Sequence, residues 1–140
     1  MLPLRLVMDT NILVSAALNP DGLQRTTLVV AVTKPARLFV TVPILEEYAG
    51  VLMRPHLKVR KGERLRLLQL IKNRSRIVTP SRRLAVASDP DDDIFIDCAD
   101  AARADYLITG NRKHFPAFWK GTKIITSREF ISIVAPHLIS

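Results

Sequence analysis

Cysteine is almost missing from this sequence: Cys98 stands alone among 140 residues. No disulfide framework and no cysteine-rich zinc site can form within one chain. The lone thiol falls on the apolar face of an expected helix, where core packing is the ordinary role of a free cysteine. A cytosolic setting is compatible with such sparing thiol use. Long hydrophobic runs are missing too. The opening stretch, Met1-Leu-Pro-Leu-Arg-Leu-Val-Met8, is too short for a signal peptide or a membrane span, and it reads as a first strand. There is no glycine-rich phosphate loop, no Ser/His/Asp triad signature and no internal repeat. Residues 1–140 are therefore expected to form one domain. A chain of that length buries roughly 68% of its unfolded surface and needs no disulfides.

Acidic residues are nearly absent from one stretch. Between Arg54 and Arg83 there are eleven basic residues and a single acid, Glu63, a net charge of +10. The remainder holds ten basic and twelve acidic residues, a net of −2, within a total of +8. A concentrated basic segment is the footprint of a protein that meets polyphosphate, and Arg60, Lys61 and Arg64 are the expected RNA contacts. The alternative is a solvated helix face, or a surface that meets an acidic protein.

What is present alternates. Apolar runs at Leu4–Met8, Arg37–Thr41, Arg76–Thr79, Asp105–Thr109 and Lys123–Thr126 read as strands. Between them lie helical patterns at 12–18, 23–34, 44–52, 63–73 and 94–103, and a last helix at 128–134 is expected to be capped by Ser127. Strands alternating with helices imply parallel strands and crossovers. The expected fold class is α/β, a three-layer α/β/α sandwich around a mostly parallel sheet of about five strands.

In an open parallel sheet, ligands bind beyond the carboxyl ends of the strands. Asp9 follows the first strand, Glu46 and Glu47 lie on the helix after the second, and Asn111 follows the fourth. Asp89, Asp91, Asp92 and Asp93 open the helix before the fourth strand. Hard oxygen groups of this kind suit Mg2+ or Mn2+ rather than zinc, and a divalent cation relieves the repulsion among them. Each residue also has a plainer reading. Asp9 can be a helix cap, the Asp89–Asp93 run can complement a helix dipole, Glu46 and Glu47 can be solvated, and Asn111 can be a turn residue. At 100° per residue, Asp93, Asp97 and Asp100 fall on the face opposite Ile94, Phe95, Cys98, Ala101 and Ala102, and they are expected to be solvated. Asp92 is then the better ligand, with Asp93 and Asp97 as alternatives. His114, which follows Arg112-Lys113 near the expected site, could touch phosphate, though no partner pattern marks it; Phe115, Phe118 and Trp119 read as a packed loop rather than a base-stacking platform.

Taken together, these segments resemble the PIN-domain family. The resemblance rests on Leu6-Val-Met-Asp-Thr-Asn-Ile-Leu-Val-Ser15, Thr41-Val-Pro-Ile-Leu-Glu-Glu47, Asp89-Pro-Asp-Asp-Asp-Ile-Phe-Ile-Asp-Cys-Ala99 and Ala104-Asp-Tyr-Leu-Ile-Thr-Gly-Asn111. It is nearest to the bacterial and archaeal branch that includes toxins of toxin–antitoxin pairs. The resemblance implies a Mg2+- or Mn2+-dependent ribonuclease acting on single-stranded RNA. It assigns Asp9, Glu47 and Asp92 to the metal, with Glu47 preferred to Glu46 by spacing. Asn111 stands where many members carry a fourth aspartate, and Thr10, Asn11 and Thr109 match supporting positions. A homodimer and an antitoxin partner are implied as well; the sequence adds only an apolar excess that includes Leu28, Val29 and Val30. One rival is a non-catalytic PIN-like module that binds RNA or protein. Another is a hydrolase using Asp9 as a phosphorylated nucleophile, whose second aspartate would fall at Asn11.

Overall fold

The computed structural model describes residues 3–87 and 89–139. Met1 and Leu2, which open the expected first strand, lie outside the described residues, as do Ser88 and Ser140. The chain runs β1 (Arg5–Met8), α1 (Thr10–Leu18), α2 (Leu23–Ala31), β2 (Arg37–Val40), α3 (Val42–Leu52), α4 (Lys61–Arg74) and β3 (Ser75–Ile77). It continues with α5 (Asp93–Ala102), β4 (Tyr106–Ile108), β5 (Phe118–Trp119), β6 (Thr122–Ile125) and α6 (Ser127–Val134). The sheet order is β3-β2-β1-β4-β6-β5, and every neighbouring pair is parallel except β5 against β6.

The sheet grows in both directions from β1. The chain first steps outward to β2 and β3, then returns past β1 to β4. Right-handed crossovers put α1 to α4 on one face and α5, which makes the return, on the other. Packing agrees: α5 lies on β1, β2 and β4, while α2 packs on α6. The strand order therefore reverses between β1 and β4, the place where an open α/β sheet leaves a crevice at its carboxyl edge.

Buried on both faces, β1 reads as an unbroken apolar run, as central parallel strands do. Leu6, Val7 and Met8 are fully buried, and each contributes about 1.5–3 kcal/mol of hydrophobic stabilisation. Tyr48 of α3 is also fully buried, and its hydroxyl donates to the Met8 carbonyl. That bond fixes α3, and with it Glu47, against the carboxyl end of β1. The turn Asn19-Pro-Asp-Gly22 separates α1 from α2 as its residues require.

The structure departs from the sequence reading in three places. There is a sixth strand: β5 pairs antiparallel with β6 in a hairpin whose turn carries Lys120 in the left-handed region, φ 51°. Two residues are too few to show a period of two, so Phe118 and Trp119 looked like loop. The last helix is capped by Thr126, not Ser127. Thr126 and Glu129 form a reciprocal capping box in which the Glu129 amide donates to the Thr126 hydroxyl. The third departure concerns α5. Its buried residues are Phe95, Ile96, Asp97, Cys98, Ala99 and Ala102, whereas Ile94 and Ala101 are half-buried. Asp93 and Asp97 do not face solvent, because residues 84–87 lie along that face. The Leu84 amide donates to Asp97, and the Val86 and Ala87 amides donate to Asp93. Cys98 is in the core as expected; burial first, and the Asp97 charge second, push its thiol up to about 12. Among the described residues no helix is long and apolar enough to cross a membrane.

Candidate active site

Asp9 sits in the crevice between β1 and β4. Its backbone amide donates to Ile108 O at 2.9 Å, which continues the β1–β4 ladder, and its side chain is 4% exposed. It occupies the N-cap position of α1, where the Thr10 and Asn11 amides favour its charge without a capping bond of good geometry. Instead Oδ2 accepts the Thr109 hydroxyl at 2.7 Å. Burial raises the Asp9 carboxyl above its ordinary range. The Thr109 bond, the Asn11 and Thr10 amides and the His114 charge each offset part of that rise. Thr109, fully buried, also accepts the Asn111 amide at 3.0 Å. One hydroxyl thus ties the aspartate after β1 to the turn after β4.

Glu47 and Glu46 separate cleanly. Glu46 is exposed; Glu47 is half-buried and accepts the hydroxyl of Thr10, itself buried. Both the Asp9 and the Glu47 charges help raise the Tyr48 phenol, after burial as the main cause, so both carboxylates lie within electrostatic reach of one ring. Thr41 begins α3 by accepting the Ile44 amide at 3.2 Å. Asn11 is exposed, and its amide rather than its side chain is what bears on Asp9.

The acidic run sorts itself by hydrogen bonds. Asp89 and Asp91 are exposed, and Asp89 caps the short turn that follows by accepting the Asp91 amide at 3.0 Å. Asp93 and Asp97 are engaged by the 84–87 amides. Asp92 is left over by the backbone: its Oδ2 is buried, makes no hydrogen bond of good geometry among the described residues, and has His114 Nδ1 at ion-pair distance, 3.2 Å away. Burial first, and the Asp9 charge second, push the Asp92 carboxyl up to about 6, against the opposing pull of His114. The Asp9 and Asp92 carboxylates therefore lie within electrostatic reach of one another.

His114, noted in the sequence only as a residue near the site that could touch phosphate, joins two of the predicted residues. Besides Asp92, its Nε2 lies 3.1 Å from Asn111 Nδ2. The available signal was spacing: His114 follows Asn111 by three residues across a 3-10 turn, where side chains three apart stack. Among the described residues no three His, Cys, Asp or Glu side chains gather into a metal-holding group.

The basic segment divides as well. Arg60 and Lys61 are exposed at the start of α4. Arg64 is not available in the same way. Its guanidinium donates to Val59 O at 2.8 Å, to Leu52 O and Arg54 O at 2.9 Å, and to Leu57 O. A planar fork of five donors suits that task of folding the 52–59 segment onto α4. Of the three expected RNA contacts, Arg64 is thus already engaged within the fold, whereas Arg60 and Lys61 are exposed.

Known proteins resemble the chain in family and in fold. A family model described as PIN domain matches residues 5–113. An uncharacterized protein of Methanocaldococcus jannaschii is 29% identical over 112 residues, which cover 78% of this chain and 72% of that protein. A chain in the crystal structure of VapBC2 from Rickettsia felis, bound to a DNA fragment from their promoter, superposes with a TM-score of 0.58 at 17% identity. That match covers 88% of this chain and 98% of the other; at such identity the likeness is one of fold.

Proposed function

The chain belongs to the PIN-domain family, and from that premise we propose that it is a Mg2+- or Mn2+-dependent endoribonuclease that hydrolyses phosphodiester bonds of single-stranded RNA as the toxin of a toxin–antitoxin pair. PIN domains are typically nucleases, so phosphodiester hydrolysis is the family-level reading. The observation that supports the metal is the Asp9–Asp92 pair: two carboxyls raised by burial, within electrostatic reach of one another, with a buried Asp92 oxygen lacking a hydrogen-bond partner among the described residues. A hard, all-oxygen donor set fits Mg2+ or Mn2+. Mg2+ keeps several waters and commonly takes only one or two protein carboxylates.

Asp9 and Asp92 would hold the ion directly. When bound, it supplies a more acidic water and neutralises charge developing on the phosphate. Thr109 keeps the Asp9 carboxylate aimed by donating to Oδ2, and Thr10 does the same for Glu47. Glu47 would reach the ion through water or orient the attacking water. Asn111, held by Thr109, would fix a ligand water, and its neutral amide in place of an acid favours one ion over two. Exposed Arg60 and Lys61 would attract the RNA backbone without regard to sequence. The fold likeness to a chain of the VapBC2 complex supports an antitoxin partner; a homodimer and a cytoplasmic location are proposed from the resemblance to the toxin branch alone. Light scattering that gives only a 15.7 kDa species would count against the dimer.

A non-catalytic PIN-like module that binds RNA or protein is the second reading, favoured by the lack of a three-ligand cluster among the described residues. Calorimetry separates the two. A competent site takes up Mn2+ and gains thermal stability by mass action; no binding at millimolar Mn2+ would overturn the metal-enzyme reading.

A further inference from the structure

Parallel pairing of β2 with β3 gathers charges that the sequence keeps far apart. Leu38 pairs with Ser75 and Phe39 with Arg76, so the two strands begin side by side. They begin at the amino edge of the sheet; at about 3.3 Å per strand residue, Arg37 lies about 13 Å from Thr41 at the carboxyl edge. At that amino edge a cavity of about 310 Å³ is lined by Lys34, Arg37, Leu38, Arg74, Ser75 and Arg76. Four of these six carry positive charge and none carries negative charge. None of the four forms an ion pair among the described residues. The Ser75 hydroxyl is buried there without a hydrogen-bond partner among the same residues.

Three of the four basic side chains are exposed, so solvent screens their repulsion, and an anion entering the cleft meets positive charge with no acidic neighbour in its lining. Arg74 lies in the last turn of α4, whose dipole supplies only a fractional counter-charge. Guanidinium forks and a hydroxyl donor are the groups that recognise a phosphate oxyanion. We propose that this cleft is a phosphate-binding subsite, filled by a phosphodiester of a nucleic-acid strand on the sheet edge opposite the carboxylates. The identity of that strand as RNA rests on the function proposed above; the oxyanion site itself does not.

The test uses the full chain in chelator, so that cleavage plays no part. Arg74→Gln and Arg76→Gln alter exposed side chains, so the double variant is expected to fold. For a long single-stranded RNA, the slope of log affinity against log salt should fall in magnitude by about 1.4 in this variant, at about 0.7 for each phosphate no longer neutralised. Ser75→Ala should weaken binding several-fold and leave the slope alone, because it removes a neutral donor. Millimolar inorganic phosphate should raise the melting temperature of the parent protein and not that of the double variant. If RNA affinity, its slope and the phosphate effect are all unchanged in the double variant, the face is merely solvated and the subsite is overturned. Loss of the phosphate effect with RNA binding unchanged would overturn the nucleic-acid assignment. Mn2+ calorimetry reads the nuclease site separately, and it should not distinguish the double variant from the parent.

Discussion

Helix α5 has an aspartate at each end, and the two have opposite fates. Asp92, at its N-cap, has a carboxyl pushed up to about 6; Asp100, in its last turn, has one held down to about 2. The helix dipole alone predicts the reverse, since it favours negative charge at the N-terminus and disfavours it at the C-terminus. Local partners decide instead. Trp119 Nε1 donates to Asp100 at 3.0 Å, Lys120 Nζ lies 3.1 Å away, and Arg82 reaches it at 3.4 Å. Asp92 has a desolvated oxygen without a hydrogen-bond partner among the described residues and lies within electrostatic reach of a second carboxylate. One end of the helix uses an acid to tether the β5–β6 hairpin, and the other keeps an acid unsatisfied. Unsatisfied, perturbed groups in a crevice mark chemistry; satisfied ones mark architecture.

The largest effect should come from exchanging these roles. Asp92→Ala should abolish cleavage and weaken Mn2+ binding by more than the roughly 100-fold expected from removing a ligand's supporting partner. Asp100→Ala should leave cleavage nearly intact but cost about 1–3 kcal/mol of stability, because the Trp119 N–H is left without its acceptor. Paired RNA-cleavage and urea-denaturation measurements read both outcomes; an inactive Asp100→Ala protein of normal stability would break the division.

Next in size is the partner of Asp9. Thr109→Val removes the hydroxyl that holds Asp9 and the Asn111 turn together while preserving the side chain's shape. Mn2+ affinity should fall about 10- to 100-fold, as it does when supporting partners of metal ligands are removed. An unchanged calorimetric Kd would mean that Asp9 is oriented by its backbone alone.

Smaller still is the pH dependence, where the two ends of α5 pull in opposite directions. From an ordinary value of 3.8, Asp92 is raised on folding to about 6. Between those values the folded state binds more protons than the unfolded, so this group lowers stability as pH rises through the window. Asp100 is depressed, so its contribution is complete above 3.8 and is lost as pH falls toward about 2. Without metal, Asp92→Asn should therefore raise stability at pH 7 by roughly 1 kcal/mol, allowing for solvent screening, and should leave stability at pH 3 unchanged. Melting curves across pH test this; a variant that is less stable at pH 7 would reverse the assignment of Asp92 as an unsatisfied acid.

What could be read from the sequence follows the same division. Apolar runs and turn residues located the parallel strands, because a strand buried on both faces leaves a continuous local signal. Asp9 and Asn111 were legible as residues that follow strands, and Thr109 only through the resemblance to the family. Asp97, Arg64 and His114 were not, since their partners are backbone groups or side chains brought in by tertiary folding. The periodicity of α5 put Asp97 opposite Phe95 correctly, but it carried no trace of residues 84–87 covering that face. Arg64 looked like any other cation in a basic segment until the carbonyls of 52–59 closed around it. Helical angles tell which side a residue is on, not what arrives there.

Trp119→Phe should produce the smallest change, and it isolates one donor at the satisfied end of α5. Phenylalanine keeps most of the ring packing and removes only the indole N–H. That N–H is the largest cause of the depressed Asp100 carboxyl, ahead of the Lys120 and Arg82 bonds, which remain. The Asp100 carboxyl should move up from about 2 toward 3.8 without reaching it. Stability near neutral pH should fall by about 1 kcal/mol, the usual net worth of one hydrogen bond to a charged group partly open to water. Because the hairpin lies at the far end of α5 from Asp92, Mn2+ affinity should stay the same. Carboxyl NMR titration reads the first effect, denaturation the second and calorimetry the third. Should Mn2+ affinity fall in this variant while Asp100 hardly moves, the two ends of α5 are coupled, and the separation between tether and active acid drawn from their partners would have to be abandoned.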